Sequence, residues 1–294
     1  MDWLPLLKVA LAFAVLLLAS WSDWRTREAS DLHWIFLGLA GMAFLITQLL
    51  VEGADPLYYL ILIPIAIFFL DIFWERRETF GENINLLPLA LYLLSFTVLG
   101  ILVFLRHDDL YFWQLMIIPI MFLLFILLYQ FDIIKGGADA KAFIALSILF
   151  PLYPVIGELP MIALPTEMAQ FIMPFPMLIL FNAALITLVV PFVLALYNLG
   201  KGDFRFPAIL FGYRMKLDEA RRKFVWPMEY VMDGEVRMAY LPKGSEHSAT
   251  QLDELEATGA KEVWVTPKIP FLIPITISII FSTVVGNILF LFIH

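Results

Sequence analysis

Long apolar runs separated by polar connections constrain the fold of this chain more than any other feature. Eight such runs recur, each about as long as the 17 to 25 residues that a helix needs to cross the hydrocarbon core of a bilayer. Their bounds are 3–19, 32–51, 57–74, 86–105, 111–131, 140–156, 176–196 and 271–293. The chain is also 62% hydrophobic and only 16% charged, unlike a soluble globular protein. We therefore predict a polytopic α-helical membrane protein with about eight transmembrane helices.

The basic residues predict how these helices are oriented. All of the 19 Lys and Arg residues except Lys8 and Arg106 lie at 22–31, 75–85, 132–141 or 197–270, in the connections after the first, third, fifth and seventh runs or, for Lys141, at the edge of the next run. Basic residues concentrate in cytoplasmic loops, so we place these segments in the cytoplasm and the N-terminus outside. The chain is then expected to be a multi-pass protein of the plasma membrane, with the lipid bilayer as its surroundings.

A polar segment at 198–268 separates the last two runs and predicts a small cytoplasmic α+β subdomain. Asp233-Gly234 favours a tight turn between a strand before it and a strand after it. A short helix ending at Gly259 and a strand at 262–266 are expected to follow. The predicted division of the chain is a transmembrane domain at 1–197, the subdomain at 198–268 and a last transmembrane helix at 269–294.

Composition and charge exclude several kinds of site. The net charge is −8, so attraction to a polyanion such as a nucleic acid is not expected. The lack of cysteine excludes disulfides, zinc ribbons and iron–sulfur clusters. The four histidines lie far apart in the sequence, without the spacing of metal ligands. We therefore expect no nucleic-acid partner, no metal and no other cofactor.

Two aspartates at the edges of apolar runs are the first candidates for chemistry. Asp23 follows the first run and Asp139 precedes the sixth. An even number of predicted crossings separates them, so both should lie on the same side of the membrane. Carboxylates at the edge of a hydrocarbon phase are costly unless they are paired, protonated or in contact with water. Two carboxyls that come close enough to share a proton can act as base and acid around a water molecule.

Each aspartate also has an ordinary structural interpretation. Asp139 could cap the N-terminus of its helix, where the helix dipole favours an acid. Asp23 could form an ion pair with one of the two arginines that follow it in a solvated loop. Gly136 and Gly137, which precede Asp139, would let the backbone adopt positive φ or approach a neighbouring helix closely. The residues by themselves leave these interpretations open.

Three segments resemble one family. Residues 136–141, Gly-Gly-Ala-Asp-Ala-Lys, resemble the Gly-x-Gly-Asp motif of membrane-embedded aspartic peptidases, with Ala138 in place of the second glycine. Residues 23–31, Asp-Trp-Arg-Thr-Arg-Glu-Ala-Ser-Asp, are similar to a segment of archaeal preflagellin and prepilin peptidases. Residues 265–276 resemble the stretch that leads into the last helix of the preflagellin peptidases. The three segments also occur in the right order, so the sequence resembles the archaeal preflagellin and prepilin peptidases.

This resemblance implies an activity and its residues. Asp23 and Asp139 would be the catalytic pair of an aspartic endopeptidase, within a catalytic domain at 1–197. The enzyme would remove the basic leader peptide from archaellin or type IV pilin-like precursors at the cytoplasmic face. The motif at the second aspartate comprises Gly136, Gly137, Ala138 and Lys141. Five acids expected near the same face either bind the basic leader or are counterions of nearby arginines: Glu28, Asp31, Glu75, Glu78 and Asp132.

Two other functions are alternatives. A presenilin-like protease cuts within transmembrane helices, but there the first aspartate follows a tyrosine, whereas Asp23 follows Ser22. An ion or solute transporter would use Asp71, Glu75 and Asp139 to handle cations, and Asp71 lies inside an apolar run. Such a transporter is expected to contain two similar halves or helices broken near the membrane midplane, and the sequence displays neither.

Overall fold

Helices of membrane-crossing length dominate the fold. The computed structural model describes residues 3–74, 86–162, 166, 168–240 and 248–289. Within these residues, six helical segments are long and apolar enough to cross a membrane. They are Trp3–Thr26, Asp31–Val51, Pro56–Phe73, Leu86–Arg106, Leu110–Gln130 and Phe175–Lys201. The chain is therefore a polytopic α-helical membrane protein, as the sequence predicts, while eight as the number of spans stays a prediction.

The α-helices are numbered here in chain order over the described residues. They are α1 Trp3–Thr26, α2 Asp31–Val51, α3 Leu62–Phe73, α4 Leu86–Arg106, α5 Leu110–Gln130, α6 Gly137–Leu149, α7 Ala169–Ile172, α8 Phe175–Thr187, α9 Val189–Lys201, α10 Ala208–Phe211, α11 Leu217–Ala220, α12 Ser248–Ala257 and α13 Leu272–Val284. A 3-10 turn at Pro56–Ile61 leads directly into α3. The side chain of Asp55 caps that turn by accepting a hydrogen bond of 2.9 Å from the backbone amide of Leu57.

Two of the predicted apolar runs form helices that are shorter than expected. The run at 140–156 becomes α6 and the run at 271–293 becomes α13, each with 13 helical residues. A helix of that length spans about 20 Å, less than the hydrocarbon core of a bilayer. Pro151 follows the end of α6 and cannot continue it. Gly286 adopts a positive φ of 91° just after α13, where its backbone forms a bridge with Ile162.

The short helix α6 is almost completely enclosed by its neighbours. It packs against α1, α2, α3 and α5, and every residue from Ala142 to Leu149 is buried. A Cβ atom on Gly41 would lie 3.0 Å from the backbone nitrogen of Leu149, so α2 and α6 approach each other closely. On another side, the rings of Phe125 and Phe143 stack with their centroids 5.0 Å apart. This packing fixes the body of the helix whose first turn carries Asp139.

Buried polar groups link α13 to its neighbours. The hydroxyls of Ser20 on α1 and Thr276 on α13 are 2.7 Å apart. The side-chain amide of Asn182 on α8 donates a hydrogen bond of 2.8 Å to the hydroxyl of Ser282. Hydrogen bonds of this kind join transmembrane helices because the surrounding lipid offers no alternative partner. The last helix is thereby held against the helix that carries Asp23.

The two basic residues outside the predicted cytoplasmic segments have polar partners. Lys8 is buried in α1 and donates a hydrogen bond of 2.9 Å to the side-chain oxygen of Gln48 on α2. Arg106 at the end of α4 forms an ion pair with Asp55. Because both cations are satisfied within the protein, their positions are compatible with the predicted orientation.

The contacts divide the chain into two units, Met1–Ala183 with Pro270–His294, and Ala184–Ile269. The second unit contains β1 Tyr213–Lys216, β2 Val225–Pro227, β3 Glu229–Met232, β4 Glu235–Met238 and β5 Glu262–Pro267. Strands β1, β5 and β2 form an antiparallel sheet in that order, and β3 pairs with β4 in a hairpin. The hairpin turns at Asp233 and Gly234, whose φ angles are 57° and 80°, as the sequence predicts. The central strand β5 buries Val263, Trp264 and Val265.

Candidate active site

Asp23 lies in the last turn of α1, not in a loop after it. The helix continues beyond the predicted end at residue 19 as far as Thr26. The backbone amide of Arg27 donates a hydrogen bond of 2.9 Å to the carbonyl of Asp23, and Arg27 then leaves the helix with a φ of 62°. Asp23 is half-buried. Its carboxyl is therefore carried by regular helix, which holds it more precisely than a solvated loop would.

Side-chain hydrogen bonds organise the connection between α1 and α2. The hydroxyl of Ser22 donates to the carbonyl of Glu28 over 2.9 Å. The hydroxyl of Thr26 lies 2.9 Å from the carbonyl of Ser22 and 3.1 Å from that of Glu28. At the start of α2, the hydroxyl of Ser30 caps the helix by accepting from the backbone amide of Leu32. These hydrogen bonds define the geometry of the connection, so the end of α1 and the start of α2 keep a fixed position relative to each other.

Asp139 lies in the first turn of α6, and Gly136 rather than Asp139 is the N-cap residue. The interpretation of Asp139 as a simple N-cap is therefore wrong. Its carboxyl group folds back over Gly136, where a Cβ atom would overlap Oδ2. A Cβ on Gly137 would meet only the Tyr129 hydroxyl, at an ordinary 3.5 Å. Gly136 has a φ of −92°, so the glycine is needed for space and not for a left-handed backbone.

The two aspartates act on each other electrostatically. Helix α1 packs against α6, and burial, together with the negative charge of Asp23, raises the pKa of Asp139. Two neighbouring carboxyls of which only one is readily ionised hold one proton between them. The arrangement can therefore supply a base and an acid side by side.

An ion pair between Asp31 and Lys141 joins the two sequence motifs at 23–31 and 136–141. Asp31 is the first residue of α2, and Lys141 follows Asp139 by two positions on α6. The Nζ atom of Lys141 lies 2.6 Å from Oδ1 of Asp31, and 5.2 Å from the centre of the Phe73 ring. The sequence marks each residue as a candidate but does not predict the pair. The sequence did contain a signal for this ion pair, because a lysine at the edge of an apolar helix needs a partner for its charge.

The remaining acidic candidates differ in position. Glu28 is exposed in the connection after α1, and only its backbone carbonyl takes part in the hydrogen bonds there. Asp132 is exposed after α5, with a left-handed φ of 55°. Glu75 and Glu78 lie outside the described residues. A role of these acids in binding a basic leader stays a prediction.

The acid that motivates the transporter alternative has a hydrogen-bonding partner. Asp71 lies near the end of α3, and the hydroxyl of Tyr92 on α4 donates to its Oδ2 atom. This hydrogen bond gives Asp71 a structural role between two packed helices. As for metals, the part of the chain that the structure describes contains no cluster of three or more His, Cys, Asp or Glu residues that could hold an ion.

Comparison with known proteins identifies relatives over most of the chain. Residues 205–288 match a family model described as archaeal peptidase A24 C-terminus, type II. A preflagellin peptidase of Methanocaldococcus jannaschii is 26% identical over 64% of this chain and 78% of its own length. This chain resembles the archaeal preflagellin peptidases, as its sequence motifs predict. A second preflagellin peptidase, from Methanococcus maripaludis, is 24% identical over 92% of both chains, and a third, from Methanococcus voltae, is 27% identical over 52% of this chain and 64% of its own.

The family match and the aspartate pair lie in different parts of the chain. The matched residues 205–288 cover most of the second unit together with α13. They include neither Asp23 nor Asp139. The roles of the two aspartates therefore have to be argued from their own geometry.

Proposed function

We propose that this chain is a membrane aspartic endopeptidase that removes the basic leader peptide from archaellin or type IV pilin-like precursors. The proposal rests on the placement of Asp23 in the last turn of α1 and of Asp139 in the first turn of α6, two helices that pack against each other. The names of the relatives as preflagellin peptidases support the same class of substrate.

In the proposed mechanism, a water molecule lies between the two carboxyl groups. The ionised aspartate removes a proton from the water, which attacks the carbonyl carbon of the scissile peptide bond. The protonated aspartate donates its proton to the carbonyl oxygen, so a neutral tetrahedral intermediate forms. The aspartate that is now ionised takes a proton from one hydroxyl of this intermediate, the carbonyl re-forms, the carbon–nitrogen bond breaks, and the other aspartate gives its proton to the leaving nitrogen. Two carboxyls are sufficient for every proton transfer in this scheme.

The proposed site faces the cytoplasm, as the distribution of basic residues predicts. A substrate with a basic leader and an apolar segment would place its leader in water and its apolar segment in the membrane. The acids Glu28, Asp31, Glu75, Glu78 and Asp132 are the proposed contacts for the leader. Oppositely charged groups of this kind would act mainly on substrate binding and its salt dependence, and less on the chemical step.

A direct test is to incubate the purified protein with a panel of archaellin and pilin-like precursors and to sequence the new N-termini. We expect cleavage directly after the basic leader. Matched precursors in which the leader lysines and arginines are replaced by glutamine should be cleaved poorly. A cut within the apolar segment would favour the presenilin-like alternative, and no cleavage of any precursor would contradict the proposed function.

A further inference from the structure

The ion pair of Asp31 and Lys141 joins the two segments that carry the proposed catalytic residues. Its Nζ–Oδ1 distance is 2.6 Å, and the two side chains are 49% and 25% exposed respectively. Asp31 begins α2, directly after the connection that follows Asp23, while Lys141 belongs to the first turns of α6. Lys141 thus contacts the first residue of α2, and α6 also packs against α1. Helix α6 therefore contacts both helices that flank that connection.

The two segments differ in how firmly they are held locally. The connection from α1 to α2 is fixed by hydrogen bonds from Ser22, Thr26 and Ser30. The start of α6 has no such support, because its N-cap is a glycine without a side-chain hydrogen bond to the helix. A second glycine follows as the first residue of the helix. Two glycines thus lead into Asp139, and the ion pair links this end of α6 to the hydrogen-bonded connection between α1 and α2.

We propose that Asp31 and Lys141 are positioning residues, which hold the first turn of α6 so that Asp139 stays within proton-sharing reach of Asp23. This inference rests on the proposed peptidase function. A partly exposed ion pair contributes little to folding stability, so its removal should leave the helices folded. Small misplacements of a catalytic group can nevertheless cost about 100-fold in rate. Loss of the pair should therefore change turnover far more than stability.

Kinetics of five variants test the proposal on a precursor peptide. Lys141→Met and Asp31→Asn should each lower kcat about tenfold or more, and the double variant should lose no more than the worse single variant, because each change removes the same interaction. Lys141→Arg retains the cation and should keep most of the activity. Lys135→Met removes an exposed lysine just before Gly136 and serves as the matched control, with kcat expected within about twofold of wild type. KM should change little in the three variants that keep Asp31, since Asp31 is also a proposed contact for the leader.

A second measurement reports the geometry without needing activity. The chain has no cysteine, so spin labels can be placed specifically at positions 25 and 135, which are both exposed. We expect the distance distribution between the labels to broaden in Lys141→Met and to match the wild type in Lys141→Arg. Unchanged kcat in Lys141→Met, or an unchanged distance distribution in that variant, would overturn the proposal. If the wild type cleaves no precursor but the distances still respond, the proposed function fails and the positioning role stands.

Discussion

The carboxyl group of Asp139 occupies the space that a Cβ atom of Gly136 would need. The glycine of the motif is thus required by the side chain of the aspartate that follows it. A neighbouring helix does not impose this requirement, and neither does a left-handed backbone, since Gly136 has a negative φ.

Gly136→Ala is therefore expected to lower kcat by about ten- to 100-fold while the protein stays folded, because the new methyl group displaces the end of a flexible side chain that carries the chemistry. Gly137→Ala is the matched comparison, since its methyl group would meet the Tyr129 hydroxyl at an ordinary 3.5 Å. That variant should lose no more than a few-fold. Rates and melting temperatures of both proteins check this expectation, and equal losses in the two variants would contradict it.

The predicted orientation can be measured with single cysteines in this cysteine-free chain. Asp108 and Glu254 are both exposed. A cysteine at position 108 should react with a membrane-impermeant thiol reagent in intact cells, because it lies in a predicted outer loop. A cysteine at position 254 should react only after the membrane is permeabilised. The opposite labelling pattern would reverse the orientation and place the proposed site outside the cell.

Catalysis is expected to proceed without a metal ion. The chain lacks cysteine, and the described residues contain no cluster suited to a metal, whereas two carboxyls can activate water by themselves. Cleavage should continue at an unchanged rate after prolonged dialysis against a strong chelator. Loss of activity during chelation, followed by recovery on addition of zinc, would show that the two-carboxyl mechanism is incomplete.

A variant of Asp71 distinguishes the proposed peptidase from the transporter alternative. Asp71→Asn keeps an oxygen that can accept the hydrogen bond from Tyr92, so packing between α3 and α4 should be preserved. We expect the cleavage rate of this variant to remain within about threefold of wild type. A loss as large as that caused by changing Asp139 would indicate that Asp71 takes part in the chemistry, which the proposed mechanism does not allow.

The apolar runs predict the membrane helices well because their length is set by the bilayer. They do not predict where a helix ends when polar residues can continue it, and α1 therefore extends through Asp23 to Thr26. The turn at Asp233-Gly234 is predictable, since few residues tolerate two consecutive positive φ angles. Strand β1 is not predictable from the sequence. Its short segment, Tyr-Arg-Met-Lys, acquires a partner only when β5 folds against it.

Part of the candidate site is likewise predictable from the sequence, and part is not. Residue types and membrane depth make Asp23 and Asp139 candidates, since an acid at the edge of an apolar run needs a reason to be there, and the family resemblance adds the proposed catalytic role. The pairing of Asp31 with Lys141 depends on how α6 is rotated about its axis, and that rotation is set by the packing of α6 against its neighbours. Packing of this kind cannot be read from spacing along the chain.

In the proposed mechanism, Asp23 and Asp139 together perform the proton transfers. Asp23→Asn and Asp139→Asn keep size and polarity but cannot ionise, so cleavage of a precursor peptide should fall by several powers of ten in each. The double variant should lose no more than the worse single variant, because the two groups act as a unit. Helicity and melting temperature, measured in parallel, should stay near those of the wild type. If either well-folded variant retains cleavage within about tenfold of wild type, a loss of only about 1.4 kcal/mol of transition-state stabilisation, the assignment of the pair is contradicted.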